Sequence, residues 1–366
     1  MDKFILEEYN NFRNSTDPVA CYAPRKNMYF DVVGNVYSCC FNRAAMPGEG
    51  VDIKSIELKV PMGQYPKMTL QEIWNSDSAN KLRKDIDNFE FNQWCYPCRY
   101  DLENKNFEAF NDKTRVWNDT SENNNFPTHL EFELTNRCNL ECVMCNGDWS
   151  HLIRKNRDKL DPIKMVYDEK FVDQLEEFIP HLQNTTFLGG EPFLINIYYT
   201  IWEKIIELNP KCNITIQTNG SILNERIKKL LNKGNFYINI SLDSLNEKTY
   251  NKIRVNADFK KTYSNLEYFI EYTTKNEKTL CITPTIIRQN YLEILDFVEF
   301  ANKKHIILVF NKSYHSESMR YLSNRTLKKI YNELSAYKFK ENNWLQVNNK
   351  RTALSIINQI GVWSNE

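Results

Sequence analysis

The sequence has no run approaching the roughly 18 apolar residues that a membrane-spanning helix needs. Its start, Met1-Asp2-Lys3-Phe4-Ile5-Leu6-Glu7-Glu8, is too acidic and too short in apolar residues for a signal peptide. Net charge is also missing, because 47 Lys and Arg balance 47 Asp and Glu. No overall basic field argues for nucleic acid or an anionic membrane surface. These absences lead to the expectation of a soluble, cytoplasmic protein with no nucleic-acid or membrane partner. Disulfides are rare in that compartment, so the ten cysteines are read first as metal ligands. Seven of them fall in three tight groups, at 39/40, 95/98 and 138/142/145, which scattered core thiols would not do.

What is present fits a globular chain. Its 366 residues are enough for about two domains. It is 42% hydrophobic and 26% charged, ordinary values for such a protein. Residues 1–117 hold five cysteines and few long periodic segments. The polar, turn-prone stretch 118–127, ending at Pro127, reads as a linker. After it the pattern changes. Strands are expected at 129–134, 185–188, 213–217, 236–242, 280–287 and 306–310. Helices are expected at 149–158, 168–182, 193–208, 225–232, 258–274 and 291–304. Strands alternating with helices are the βα rhythm of an α/β fold with a parallel sheet. Six units suggest a partial (β/α)6 barrel over 128–320, with its site at the C-terminal ends of the strands. Residues 321–366 read as a helical tail.

The stretch Cys138-Asn139-Leu140-Glu141-Cys142-Val143-Met144-Cys145 carries the chemistry. Three thiols stand at spacing C-x3-C-x2-C, with no fourth cysteine beside them. Three thiolates can hold three irons of a [4Fe-4S] cube and leave the fourth iron open for chemistry. A closed structural zinc site, the competing reading, would supply its fourth ligand nearby. Gly189-Gly190-Glu191-Pro192 follows the second strand, where glycines let the backbone approach a ligand closely. Thr218-Asn219-Gly220 ends the third strand, and Ser241-Leu242-Asp243-Ser244 the fourth. Short polar side chains there suit a ribose or a carboxylate.

These motifs together resemble the radical S-adenosylmethionine (SAM) superfamily. The resemblance implies that the open iron binds SAM through its amine and carboxylate. An electron from the cluster then cleaves the sulfonium to a 5′-deoxyadenosyl radical. It places Gly189, Gly190 and Glu191 at the SAM amine. Ser241 and Arg254 fall at the carboxylate with Asp243 close by, an Arg fork matching a carboxylate. Thr218 and Asn219 belong to the same cofactor set. Met144 stands where the family commonly has an aromatic residue, and Met can still pack softly on adenine. An electron donor such as flavodoxin or ferredoxin is implied as a partner.

The N-terminal region resembles a second element of that superfamily. Cys21, Gly34 and Cys39 stand at C-x12-G-x4-C, with Cys95-Tyr96-Pro97-Cys98 later. This spacing is similar to the opening of SPASM/Twitch extensions, which bind auxiliary iron–sulfur clusters. In the family the extension usually follows the barrel, and here it precedes it. Gly34 would permit a hairpin bringing Cys21 and Cys39 together. Cys21, Cys39, Cys95 and Cys98 could complete one auxiliary [4Fe-4S] cluster, making two clusters in all; a four-cysteine zinc ribbon is the alternative. No cysteine lies between Cys98 and Cys138 to build another. A strand through Cys39 and Cys40 would send their side chains to opposite faces, making Cys40 a non-ligand. Cys212 and Cys281 are isolated and read as buried thiols.

Proteins with this extension commonly modify ribosomally made peptides, so a peptide is the first substrate expectation. Small-molecule tailoring of a sugar, nucleotide or amino-acid derivative is the second. A non-catalytic iron–sulfur or zinc protein is the third. No spare segment precedes Cys21 for a separate leader-binding domain, so a leader peptide would fall to the two visible domains or a partner. No sequence pattern assigns a catalytic residue. Tyr314 and His315, after the sixth strand, lie near the expected rim but read as ordinary loop residues.

Overall fold

The computed structural model describes residues 1–43, 61–91, 95–117, 125–313 and 316–365. Tyr314, His315 and residues 118–124 of the expected linker lie outside the described residues. The chain divides into two compact units. The first comprises Met1–Thr135, Ile163–Gly189 and Asn196–Ile214; the second comprises Asn136–Pro162, Gly190–Ile195 and Thr215–Glu366.

In the first unit, β1 (Asn27–Phe30), β2 (Asn35–Tyr37), β3 (Gly63–Gln64), β4 (His129–Phe132) and β5 (Asn184–Phe187) run side by side as β3-β2-β1-β4-β5. β1 pairs parallel with β4, and β4 parallel with β5. The N-terminal cysteine region thus contributes strands to the same sheet as the first expected barrel strands. Register puts Phe30, Phe132 and Phe187 in one row across three strands. All three are fully buried, with ring centroids 5.4 and 4.8 Å apart along the row. Phe171, from helix Glu169–Phe178, closes on Phe30 edge-on at 5.3 Å. Each such ring contributes about 1.5–3 kcal/mol by burial, plus roughly 0.5–1.5 kcal/mol per aromatic pair. The alternate residues of the same strands, Asn27, Tyr29, His129, Glu131, Asn184 and Thr186, give the opposite face a polar lining.

The expected hairpin at Gly34 forms. β1 and β2 pair antiparallel, with Tyr29 opposite Tyr37. Gly34 has φ +92, and a Cβ there would sit 2.2 Å from the Tyr65 carbonyl oxygen, so only glycine fits. The Asp31 carboxylate accepts the N–H groups of Val33 and Asn35, each at 2.9 Å, and closes the turn.

In the second unit, β7 (Phe236–Ile240), β8 (Cys281–Ile282) and β10 (Ile307–Leu308) are parallel neighbours. β7 also lies beside β6 (Asn213–Thr218), whose last four residues belong to this unit. All six expected strands form, in order. The fifth differs in form, because Pro284 lacks an N–H and interrupts it. β9 (Thr285–Ile286) follows the break and pairs with β11 (Asn311–Lys312) instead. The helix expected over 193–208 is also shorter. Pro192–Leu194 makes a tight 3-10 turn, Ile195 is extended, and the helix runs Asn196–Leu208.

The tail is helical, at Asn324–Ser335 and Trp344–Trp363. Asn349 accepts the Leu308 N–H at 2.9 Å and donates to the Ile306 carbonyl at 3.1 Å. Thr352 accepts the Phe310 N–H at 3.0 Å. The last helix thus satisfies backbone groups along β10, a known hazard of edge strands. Among the described residues, no helix is long and apolar enough to cross a membrane.

Candidate functional site

Cys138, Cys142 and Cys145 pack together with Leu140, Met144 and Ala257 in the second unit. The loop that carries them is pinned from several sides. Ser150 Oγ donates to the Leu140 carbonyl at 2.7 Å, and Asn136 donates to the Gly147 carbonyl at 2.8 Å. The Glu141 and Val143 N–H groups bond the Val255 and Ile253 carbonyls at 3.0 and 2.9 Å. The Cys138 N–H donates to His151 Nδ1 at 3.1 Å. Desolvation, with Arg137 and Lys155 adding to it, lowers the His151 pKa, which favours the neutral ring that this acceptor requires.

Burial pushes the Cys138 and Cys145 thiols up to about 12. It also raises Cys142, against the pull of the Arg254 guanidinium. Sulfurs so placed become thiolates only against a bound cation, and soft thiolate sets suit iron–sulfur clusters. Among the described residues, no three His, Cys, Asp or Glu side chains converge as they would on a single ion. A cube, whose ligands bind separate irons, does not require that convergence. The donor set fits a cluster.

The Gly-Gly-Glu-Pro segment meets this loop. The Glu191 N–H donates to the Arg137 carbonyl at 2.8 Å. A Cβ on Gly190 would lie 2.1 Å from that same oxygen. Close approach at Gly190 is therefore to the chain's own backbone rather than to a ligand. Gly189, at the boundary of the first unit, has φ +83 and would clash with the Thr135 carbonyl at 2.6 Å. Glu191 is fully buried. Its Oε1 accepts from Phe193 N at 3.1 Å and Thr218 Oγ1 at 2.8 Å, and its Oε2 from Asn219 N at 2.7 Å. Burial raises its pKa, and these bonds oppose the rise. The Asn219 amide in turn donates to Asn139 Oδ1 at 3.0 Å and to the Cys138 sulfur at 3.9 Å.

Asp243 and Arg254 form a buried pair, with Arg254 Nε 2.7 Å from Asp243 Oδ2. Arg254 caps the C-terminal end of helix Glu247–Ile253. Burial works against its charge, but Asp243, Cys142 and Tyr250 together outweigh it and leave its pKa above the usual value. Asp243 Oδ1 accepts the Thr285 N–H at 2.7 Å, fixing the carboxylate. The terminal nitrogens of Arg254 make no hydrogen bond among the described residues. Ser241 is half-buried, and its hydroxyl accepts from Gln217 Nε2 at 2.9 Å. Gln217 also donates to Thr283 at 2.8 Å. Gln217, Thr283 and His151 were missed in the sequence, since each is an ordinary residue type whose partner is distant along the chain. Gln217 carries no distinguishing signal, since it continues the polar face that Asn213 and Thr215 begin on the same strand. Met144 and Cys145 line a cavity of about 620 Å³, together with Val143, Arg157, Val255 and Glu317.

The N-terminal thiols gather in the first unit. Cys21, Cys39 and Cys98 are buried in one cluster, and Cys95 packs against it. Burial pushes Cys21 up to about 11 and Cys95 to about 12, and holds Cys39 and Cys98 well above their ordinary value. After burial, the other thiols of the set are among the causes for Cys39, Cys95 and Cys98. The expected strand through Cys39 and Cys40 is absent: β2 ends at Tyr37, and Cys40 opens the short helix Cys40–Arg43. Strand alternation therefore gives no ground for excluding Cys40. Cys212 and Cys281 are buried thiols, as expected.

Residues 132–301 match the sequence model of the radical SAM superfamily, and residues 21–99 match that of SPASM, an iron–sulfur cluster-binding domain. A GTP 3′,8-cyclase of Clostridium botulinum (strain Hall) is 27% identical over 182 residues, covering 50% of this chain and 55% of that protein. Another, of Clostridium perfringens (strain SM101), is 30% identical over 188 residues, 50% of this chain and 54% of that one. The chain spans about half the length of these curated relatives. Among solved structures, Streptococcus suis SuiB bound to precursor peptide SuiA aligns with a TM-score of 0.43 and 18% identity, covering 73% of this chain and 61% of that one. With its cysteine trio, Gly-Gly-Glu-Pro segment and βα units in the matched order, the chain belongs to the radical SAM superfamily and carries a SPASM iron–sulfur cluster-binding domain ahead of the radical SAM domain.

Proposed function

We propose that this chain is an enzyme that reductively cleaves SAM and takes a hydrogen atom from a ribosomally made peptide. When bound, an open cluster on Cys138, Cys142 and Cys145 supplies the electron that breaks the sulfonium bond. The observation that carries this reading is one hydrogen-bonded chain joining the family's separate motifs: Glu191 to Asn219, and Asn219 to the Cys138 sulfur. It ties the third strand's end to a cluster ligand and to the Gly-Gly-Glu-Pro turn.

The chain's residues then have distinct tasks. Arg254, held by Asp243, presents its terminal nitrogens for the SAM carboxylate. Ser241, steadied by Gln217, directly follows β7, two residues before Asp243, and shares that contact. The Gly189–Glu191 segment receives the amine, and Glu191 fixes the Thr218–Asn219 backbone. Met144 packs at the adenine. Cys21, Cys39, Cys95 and Cys98 would hold a closed auxiliary cluster, which would supply a one-electron acceptor in the first unit. A flavodoxin or ferredoxin supplies reducing equivalents. The peptide assignment rests on the resemblance of residues 21–99 to extensions common in peptide-modifying enzymes. A nucleotide is the second reading, favoured by the GTP 3′,8-cyclase relatives.

The test is anaerobic. Reconstituted protein, dithionite and SAM are combined with candidate peptides or with GTP, and 5′-deoxyadenosine and substrate mass are followed. Peptide-stimulated turnover with a changed peptide mass supports the first reading, and consumption of GTP the second. Iron-loaded protein that releases no 5′-deoxyadenosine under any condition rejects both.

A further inference from the structure

Four thiols gather in the first unit, and one uncharged side chain reaches them. Asn42 lies on the short helix Cys40–Arg43 and is buried, at 5% exposure. Its side-chain amide donates to the Cys95 sulfur at 3.8 Å. Its main-chain N–H donates to the Cys39 carbonyl at 3.2 Å, fixing where the side chain starts. The same residue is thus anchored to one candidate ligand and hydrogen-bonded to another. Among the described residues, no other side chain donates a hydrogen bond to Cys21, Cys39, Cys95 or Cys98.

An N–H on a ligand sulfur draws density from the thiolate. A one-electron reduction adds a negative charge that spreads partly onto these sulfurs, so a donor stabilises the reduced form and raises the potential. We propose that Asn42 is a positioning residue that sets the reduction potential of the auxiliary cluster through its bond to the Cys95 sulfur. This inference rests on the reading that Cys21, Cys39, Cys95 and Cys98 hold an iron–sulfur cluster. The sequence motif C-x12-G-x4-C omits Asn42, which stands three residues after its last cysteine.

The test uses the full chain with Cys138, Cys142 and Cys145 replaced by alanine, so that only the N-terminal site reports. This parent is reconstituted with iron and sulfide and titrated with dithionite, with the reduced signal followed by electron paramagnetic resonance. Asn42→Ala removes the donor, and Asn42→Asp keeps the shape while replacing donor with acceptor. The expected result is unchanged iron content and a midpoint potential shifted lower in both variants. Iron retained with an unchanged midpoint overturns the role of Asn42 and leaves the cluster reading standing. Loss of iron from both variants overturns it too, since Asn42 would then build the site rather than tune it. A parent that takes up zinc or no iron rejects the cluster reading itself, and the inference with it.

Discussion

Arg254 lies with its Nε 2.7 Å from the carboxylate of Asp243, and both side chains are buried. Removing one partner of such a pair leaves an uncompensated charge, typically costing about 3–5 kcal/mol. Asp243→Ala is therefore expected to lower stability by that order, measured by denaturant unfolding of the anaerobic protein. Arg254→Lys keeps the charge but loses the fork, so it is expected to weaken SAM binding more than it weakens the fold. Equal SAM affinity in Arg254→Lys and the parent would remove Arg254 from the cofactor site.

Gly190 is expected to tolerate no side chain. A Cβ would sit 2.1 Å from the Arg137 backbone oxygen, with no flexible group able to move aside. Gly190→Ala should destabilise the protein by about 1–3 kcal/mol or more, as overpacking does. It should also reduce iron retained at Cys138, Cys142 and Cys145, read as iron per chain. Unchanged iron and unchanged unfolding would contradict the close approach.

Asn219 is expected to act on the SAM-binding cluster without building it. Asn219→Ala removes an amide from the Cys138 sulfur. Iron content should hold, and the cluster's midpoint potential should fall. An unmoved potential in the iron-loaded variant would assign Asn219 to loop architecture alone.

Glu131 gives a pH dependence of known sign. Burial first, then Glu133, pushes its carboxyl up to about 7, against the Asn27 amide. A folded value above the unfolded one near 4.3 means that the native state keeps a proton the unfolded chain releases. Its stabilising contribution is full below about pH 4.3 and is lost as pH rises through 7. Glu131→Gln should flatten this loss, so the variant gains stability relative to the parent more at pH 8 than at pH 5. A parallel pH profile for the two proteins would place Glu131 in a wetter setting.

The cysteine trio, the Gly-Gly-Glu-Pro turn and all six strands were legible because each depends on local pattern: ligand spacing, two glycines together, or alternation. Gly34 was legible for the same reason, since a hairpin needs a positive φ at its turn. What escaped depends on distant partners. Gly190 meets Arg137 only once the fold forms, so its purpose could not be read from Gly-Gly alone. His151, Gln217 and Asn42 act through hydrogen bonds to residues far along the chain or across a turn. The strand expected through Cys39 and Cys40 does not form because β2 stops at Tyr37, so alternation no longer sets Cys40 apart from Cys39. Pro284 breaks the fifth strand within an apolar run that reads as continuous.

The central claim is that Cys138, Cys142 and Cys145 hold a cluster that cleaves SAM, separate from a closed site in the N-terminal region. The most direct measurement compares the reconstituted parent with the triple Cys138/Cys142/Cys145→Ala variant, counting iron and 5′-deoxyadenosine after dithionite and SAM. The account predicts about eight irons per parent chain, as for two cubes, and about four in the variant, with 5′-deoxyadenosine formed only by the parent. A parent carrying full iron yet forming no 5′-deoxyadenosine, or a variant that still forms it, would contradict the account.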